Sequence, residues 1–185
     1  MKKIIYLIIF VNLCHICFSQ SKKEVKKNGI KSVKETITDV KSENTIPDLY
    51  KRFDANGNTL EDTNYDKEGK LKKKETFKFN KNDDETEHVI YKSDGSIKKK
   101  TTTTYNSNND KTIEITFDED GKQTEKSEYQ YNAMGERTTE LVYDESGKLK
   151  NKNIYTFDKK GMKTEKKTYD EKGNLISVKK YTYEY

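Results

Sequence analysis

Four sets of residues in this 185-residue chain could in principle do chemistry. His88 could move a proton, but it lies in Glu87-His88-Val89 with no serine or second histidine at a suggestive spacing, so a surface role is expected. Turn aspartates such as Asp54, Asp118 and Asp144 could pair as glycosidase carboxylates. Each already has a turn to build, however, and no repeat unit carries a pair that sets it apart from its copies. Calcium could be held by Asp118-Glu-Asp120-Gly121 or by Asp54-x-Asn56-Gly57, yet neither supplies a full run of oxygen ligands or a downstream bidentate glutamate. The tyrosines could stack sugars or line an extended partner, although no tryptophan is present, and they could equally cover one another as a minimal core. No catalytic, cofactor-binding or metal-binding residue is therefore assigned, no cofactor is expected, and the chain reads as a non-enzyme.

The elements that would position these groups follow from a spacing. An aromatic that precedes a turn recurs at Phe53, Tyr65, Phe79, Tyr91, Tyr105, Phe117, Tyr131, Tyr143, Phe157, Tyr169 and Tyr183, at intervals alternating between twelve and fourteen residues. The repeat is thus a pair of units, 26 residues long. A repeated unit must bury its apolar surface against a copy of itself, so this period outranks local propensity in deciding the fold.

In Tyr143-Asp-Glu-Ser-Gly147-Lys-Leu149, Asp144 suits the first position of a type I turn, and Gly147 suits the left-handed position after it. The result is a tight hairpin that sets Tyr143 opposite Leu149, and the same pairing is expected for Tyr65 with Leu71, Tyr91 with Ile97 and Tyr169 with Leu175. Asp83 and Asn109 take the glycine position in two units, where both residue types tolerate a left-handed backbone. Between turns, segments such as 101–105 and 112–117 favour strands, and no segment carries an apolar stripe at helical spacing.

The expected fold is all-β: an open antiparallel meander of about ten or eleven strands built from double-hairpin repeats, single-layered or curved. Both intervals are even, so period-two alternation predicts that every repeat aromatic points to one face, extended by Phe77, Tyr129, Leu141, Tyr155 and Tyr181. The other face is expected to be charged, with Lys72, Lys74, Lys98, Lys100, Lys148, Lys150 and Lys152 beside Asp62, Glu114, Glu136 and Glu140. Lys73, Glu75, Thr101, Glu125, Ser127 and Asn153 make mid-strand positions of the aromatic face polar, which argues against a closed dry barrel. Lys166 and Lys179 break the opposite-charge pattern without an evident reason.

Three segments are expected. Residues 1–19 read as a secretory signal: Lys2 and Lys3 precede an apolar stretch, with Cys17-Phe18-Ser19 as the cleavage site. Residues 20–52 hold a flexible basic arm over 20–27, a first strand with Val33, Glu35 and Ile37, and a loop over 41–47. Residues 53–185 form the repeat domain. Cys14, Cys17 and His15 fall in the leader, so the remainder has no thiol for a disulfide, nucleophile or zinc site. No stable membrane span is expected after cleavage. The net charge of +5 arises from 37 basic and 32 acidic residues that are interspersed, which points away from nucleic acid.

Tyr143-Asp-x-x-Gly-Lys-Leu149 and Tyr169-Asp-x-x-Gly-Asn-Leu175 resemble the YD repeats of the RHS superfamily, over most of 53–185. The resemblance implies curled β shells, often around a C-terminal toxin. This chain alternates two unit lengths, places Asn80, Lys92 and Asn106 where the family has aspartate, and stops inside a half-repeat. The expectation is therefore a short exported bacterial form without a toxin domain. Its expected role is a structural or interaction surface for a protein or glycan partner in the periplasm, on the outer-membrane surface or outside the cell. The alternative is an immunity or antitoxin-like protein that neutralises a toxin by binding it.

Overall fold

The computed structural model describes residues 21–184, so the expected leader lies outside the described residues. A short helix, α1 (Lys22–Asn28), leads into β1 (Ser32–Thr38), β2 (Thr45–Phe53), β3 (Thr59–Tyr65), β4 (Leu71–Phe79), β5 (Glu85–Tyr91) and β6 (Ile97–Tyr105). The chain continues through β7 (Lys111–Phe117), β8 (Gln123–Tyr131), β9 (Arg137–Asp144), β10 (Leu149–Phe157), β11 (Lys163–Tyr169) and β12 (Leu175–Lys180). All twelve strands pair antiparallel in chain order, as one open sheet that does not close on itself. Beyond the repeat strands, β1 and β2 extend the sheet on its N-terminal side; β2 begins at Thr45, inside the expected loop.

The hairpins have the expected chemistry. Asp144 Oδ1 accepts from the backbone N–H of Ser146 and Lys148, at 2.9 and 3.0 Å, and Gly147 adopts φ +79°. Tyr143 pairs with Leu149, Tyr65 with Leu71, Tyr91 with Ile97 and Tyr169 with Leu175. Asn132 performs the aspartate role through Oδ1, which accepts from Met134 and Glu136, while its Nδ2 donates to the Glu136 carboxylate at 2.7 Å.

The face assignment of the repeat aromatics is corrected. Every hairpin of the repeat carries one unmatched residue just inside the turn: Lys150, for example, stands between the pairs Leu149–Tyr143 and Asn151–Val142. One extra residue on one strand reverses the parity of everything after it, so odd positions on long strands share a face with even positions on short ones. The pairs Tyr129–Glu140 and Asn153–Glu140 show this directly. Phe53, Phe79, Tyr105, Tyr131 and Phe157, at the ends of the long strands, stand on one face, called front here. Tyr65, Tyr91, Phe117, Tyr143 and Tyr169, at the ends of the short strands, stand on the back, where Leu141 also lies. Neither face is purely aromatic or purely charged, and Asp62, Glu114 and Glu140 belong to the front.

Threonine suits the unmatched position because its hydroxyl can satisfy a carbonyl that the irregular ladder leaves open. Thr86, Thr112, Thr124 and Thr138 each donate across the hairpin, to the carbonyls of Lys78, Thr104, Thr116 and Gln130 at 3.2–3.3 Å. Tyrosines at the ends of long strands, and Tyr183 at the equivalent position past the end of β12, do the same between hairpins. The hydroxyls of Tyr105, Tyr131 and Tyr183 donate to the carbonyls of Glu85, Lys111 and Lys163 at 2.8–2.9 Å.

The expected flexible arm is instead α1. Ser21 and Glu24 cap it reciprocally, Gly29 ends it in the left-handed conformation, and Val25 is buried. The helix rests on the 54–58 turn, where a Cβ on Gly57 would lie 2.5 Å from the Lys22 carbonyl oxygen. Asp83 joins three elements here: it accepts from Asn56 Nδ2 (2.9 Å) and Asn58 Nδ2 (2.8 Å) and lies 3.3 Å from Lys22 Nζ. Bonding to Asn58, then to Lys22 and Asn56, holds its carboxyl below the ordinary aspartate range. This accounts for an aspartate at a glycine position: its side chain ties neighbouring turns together, as Asn109 does by accepting from Asn82 at 2.6 Å.

Candidate functional site

Burial concentrates on the front of the C-terminal half. Tyr129, Val142 and Tyr155 are buried there beside the polar Ser127 and Asn153. Glu140 lies between β8 and β10, and its Oε2 accepts from Tyr155 Oη at 2.5 Å and from Asn153 Nδ2 at 3.1 Å. Asn153 Oδ1 in turn accepts from the Thr168 hydroxyl at 2.8 Å. These bonds are what permit a carboxylate and an amide to sit low on a sheet face. Burial, reinforced by Glu114 and Glu140, pushes the Tyr129 phenol up to about 12. The Tyr155 phenol is raised further, by burial first, then by its bond to Glu140 and that carboxylate's charge.

Cations alternate with these rings along the sheet. Lys111 lies over Tyr129 at 5.9 Å; Arg137 lies 5.0 Å from Tyr129 and 5.2 Å from Tyr155; Lys163 lies 4.5 Å from Tyr155 and 5.8 Å from Tyr181. The rings are spaced by one repeat, as are the cations, so the stack is a direct product of the period. Each such contact contributes roughly 0.5–1 kcal/mol at an exposed site. Lys166 and Lys179 stand opposite one another on β11 and β12, each beside a ring, at 5.7 Å from Tyr155 and 5.4 Å from Tyr181 respectively.

The residues weighed in the sequence do not meet. His88 stacks on Phe77 with centroids 4.5 Å apart, and its Nε2 lies 3.8 Å from Glu75. The turn-opening aspartates Asp54, Asp66, Asp118, Asp144, Asp158 and Asp170 sit on two opposite edges, each accepting from N–H groups of its own loop. Asp118 is committed to the N–H groups of Asp120 and Lys122. Among the described residues no three of His, Asp and Glu converge as metal ligands, and no helix is long and apolar enough to cross a membrane. A groove of about 1100 Å³ lies elsewhere, between the 39–44 loop and the start of β4, open to solvent and lined by Ile37, Ile46, Tyr65, Lys72 and Lys73.

The signal for the tyrosine–cation stack was present in the chain. Reading residues 26 apart gives Thr59, Glu85, Lys111, Arg137 and Lys163 at one position and Phe77, Thr103, Tyr129, Tyr155 and Tyr181 at another. Both series are odd-numbered, so simple alternation already sets them on one face; what parity hid is that even-numbered Glu140 and Lys166 join them there, through the unmatched residues.

No protein family matches the sequence, and no characterised protein matches it either. Among solved structures, a porin-like protein from Bacteroides uniformis is similar over 75% of this chain, at 14% identity and a TM-score of 0.40. TarM is similar over 69% of this chain, at 16% identity and a TM-score of 0.30. The chain spans 55% of the first and 22% of the second.

Proposed function

We propose that the protein is a non-enzymatic, exported bacterial envelope protein that presents the front of its C-terminal half as a binding surface for a protein or glycan partner. The observation that carries this reading is the unbroken alternation of Lys111, Tyr129, Arg137, Tyr155 and Lys163 across the adjacent strands β7 to β11, continued by Tyr181 just past the end of β12. A surface of this kind is pre-ordered: the rings are held by burial and by Glu140, and the cations by the rings, so a partner bears little ordering cost. Spread over an open sheet face, it suits an extended partner better than a small substrate. The secretory features of residues 1–19 support an envelope location.

The test is retention of envelope components on the immobilised protein, compared with an Arg137→Gln/Lys163→Gln variant. A component held by the parent and lost from the variant is the expected outcome. Equal retention by both, or by neither, overturns the reading. If the retained component is a single toxin whose activity is blocked, the partner is a protein and the role is immunity.

A further inference from the structure

The cross-strand pair Lys166–Lys179 has a counterpart at the other end of the sheet. The same two repeat positions hold Asp62 and Glu75, which also face one another with like charge. There the chain compensates itself: Lys51 Nζ lies 3.3 Å from Asp62 and Lys73 Nζ lies 3.2 Å from Glu75. Directly opposed like charges destabilise a sheet, and the acidic pair is relieved by one cation from the neighbouring strand β2 and one on β4 itself. For Lys166 and Lys179 the structure provides only tyrosine rings; among the described residues, neither they nor Arg137 and Lys163 have a carboxylate within ion-pair distance. Four cations therefore share one patch of the front face, and a carboxylate on that face, Glu140, is occupied by Tyr155 and Asn153.

We infer that this patch, from β9 to β12, is a binding track for a linear acidic polysaccharide, whose anionic groups seat on Arg137, Lys163, Lys166 and Lys179; the inference rests on the binding-surface reading above. Spacing and chemistry select this class. Arg137 and Lys163 are one repeat and two strands apart, about 9.6 Å at the usual inter-strand distance. That matches a chain bearing one acidic group per two sugar rings, whereas nucleic-acid duplex phosphates follow one another at about 3.4 Å along each strand. A polypeptide laid across a sheet face finds no backbone partners for its own amides, since the sheet's N–H and C=O groups point along the plane to neighbouring strands. A polysaccharide carries no such obligatory ladder, and its hydroxyls stay hydrated on an open face. Because rings flank Arg137 on two sides, its N–H edges are left to meet an anion, in the geometry in which a guanidinium holds a carboxylate or sulfate.

The test uses the full chain, purified after export, and hyaluronan oligosaccharides of defined length, which alternate a carboxylate-bearing sugar with a neutral one. The comparison probes are the same oligosaccharides with their carboxyls reduced to alcohols, polyglutamate and single-stranded DNA. Binding of the acidic oligosaccharide, weakened tenfold or more by Lys166→Gln/Lys179→Gln and shifted less than twofold by the back-face change Lys126→Gln, is the expected result. Equal binding of the reduced oligosaccharide, tighter binding of polyglutamate or DNA, or an unaltered affinity in the double variant overturns it. If no acidic saccharide binds while envelope retention still depends on Arg137 and Lys163, this inference falls and the binding-surface reading survives. Circular dichroism of the double variant establishes that the sheet is intact, and removal of a like-charge pair is expected to leave it so.

Discussion

The two halves of the sheet share one backbone repeat and differ in what they ask of it. In the N-terminal half, opposed charges on the front are matched internally through Lys51–Asp62 and Lys73–Glu75, and α1 fastens onto the turns through Gly57 and Asp83. In the C-terminal half, buried Tyr129 and Tyr155 hold Arg137 and Lys163, neither of which has a carboxylate within ion-pair distance among the described residues. The difference teaches that regularity fixes where side chains stand, while function resides in how copies at one repeat position diverge. The series Asp62, His88, Glu114, Glu140, Lys166 passes from acid to base along a single row of the front face.

The contrast can be broken most sharply at the rings. Tyr155→Ala removes a buried aromatic together with its bond to Glu140, and is expected to cost about 3 kcal/mol or more in denaturant unfolding. Phe77→Ala, at the equivalent but more exposed position, is expected to cost about 1–2 kcal/mol. Equal costs would mean that the two halves do not differ in core.

Glycines sharpen the same comparison. Gly57→Ala and Gly147→Ala both place a side chain at φ +79°, but only Gly57 has a backbone atom in the way. Gly147→Ala is expected to cost about 1–2 kcal/mol, the left-handed penalty alone, and Gly57→Ala more, with α1 displaced. Limited proteolysis near residues 21–29, unchanged in Gly57→Ala, would contradict the packing of α1.

The rings also set a pH dependence. The Tyr129 phenol is raised to about 12, so the folded state holds its proton more tightly than the unfolded chain, whose tyrosines titrate near 10. The stability this contributes is complete below about pH 10 and is lost as pH rises through about 12. Phenolate absorbance is expected to show Tyr129 and Tyr155 ionising late, with the unfolding midpoint falling over the same range.

The smallest expected effect is a gain. Tyr105, Tyr131 and Tyr183 each bond the carbonyl that opens the preceding strand, 20 residues back, and Phe157 stands at the same repeat position without a hydroxyl. Phe157→Tyr, aimed at the Arg137 carbonyl, is expected to stabilise by about 0.5–1.5 kcal/mol in thermal or denaturant unfolding.

Much of this was legible in the residues themselves. The 26-residue period, the Asp-to-Gly turns and the Tyr143–Leu149 type of pairing are local, set by backbone chemistry within a few residues, and the chain alone determined an open antiparallel meander. Lys166 and Lys179 stood out as an exception for the same reason. The helix over 22–28 was missed although Ser21 and Glu24 form a capping box, because seven residues are too few to hold a helix until Val25 finds the first hairpin to pack on. Tertiary structure alone decided the faces. A single unmatched residue at each hairpin leaves the turn motif unchanged and reverses the parity of the strand that follows, so the spacing of aromatics could not reveal it. Only when the strands are paired do Glu140, Tyr155, Arg137 and Lys166 arrive on one surface, since side-chain direction in a sheet is counted from the partner strand and not from the chain.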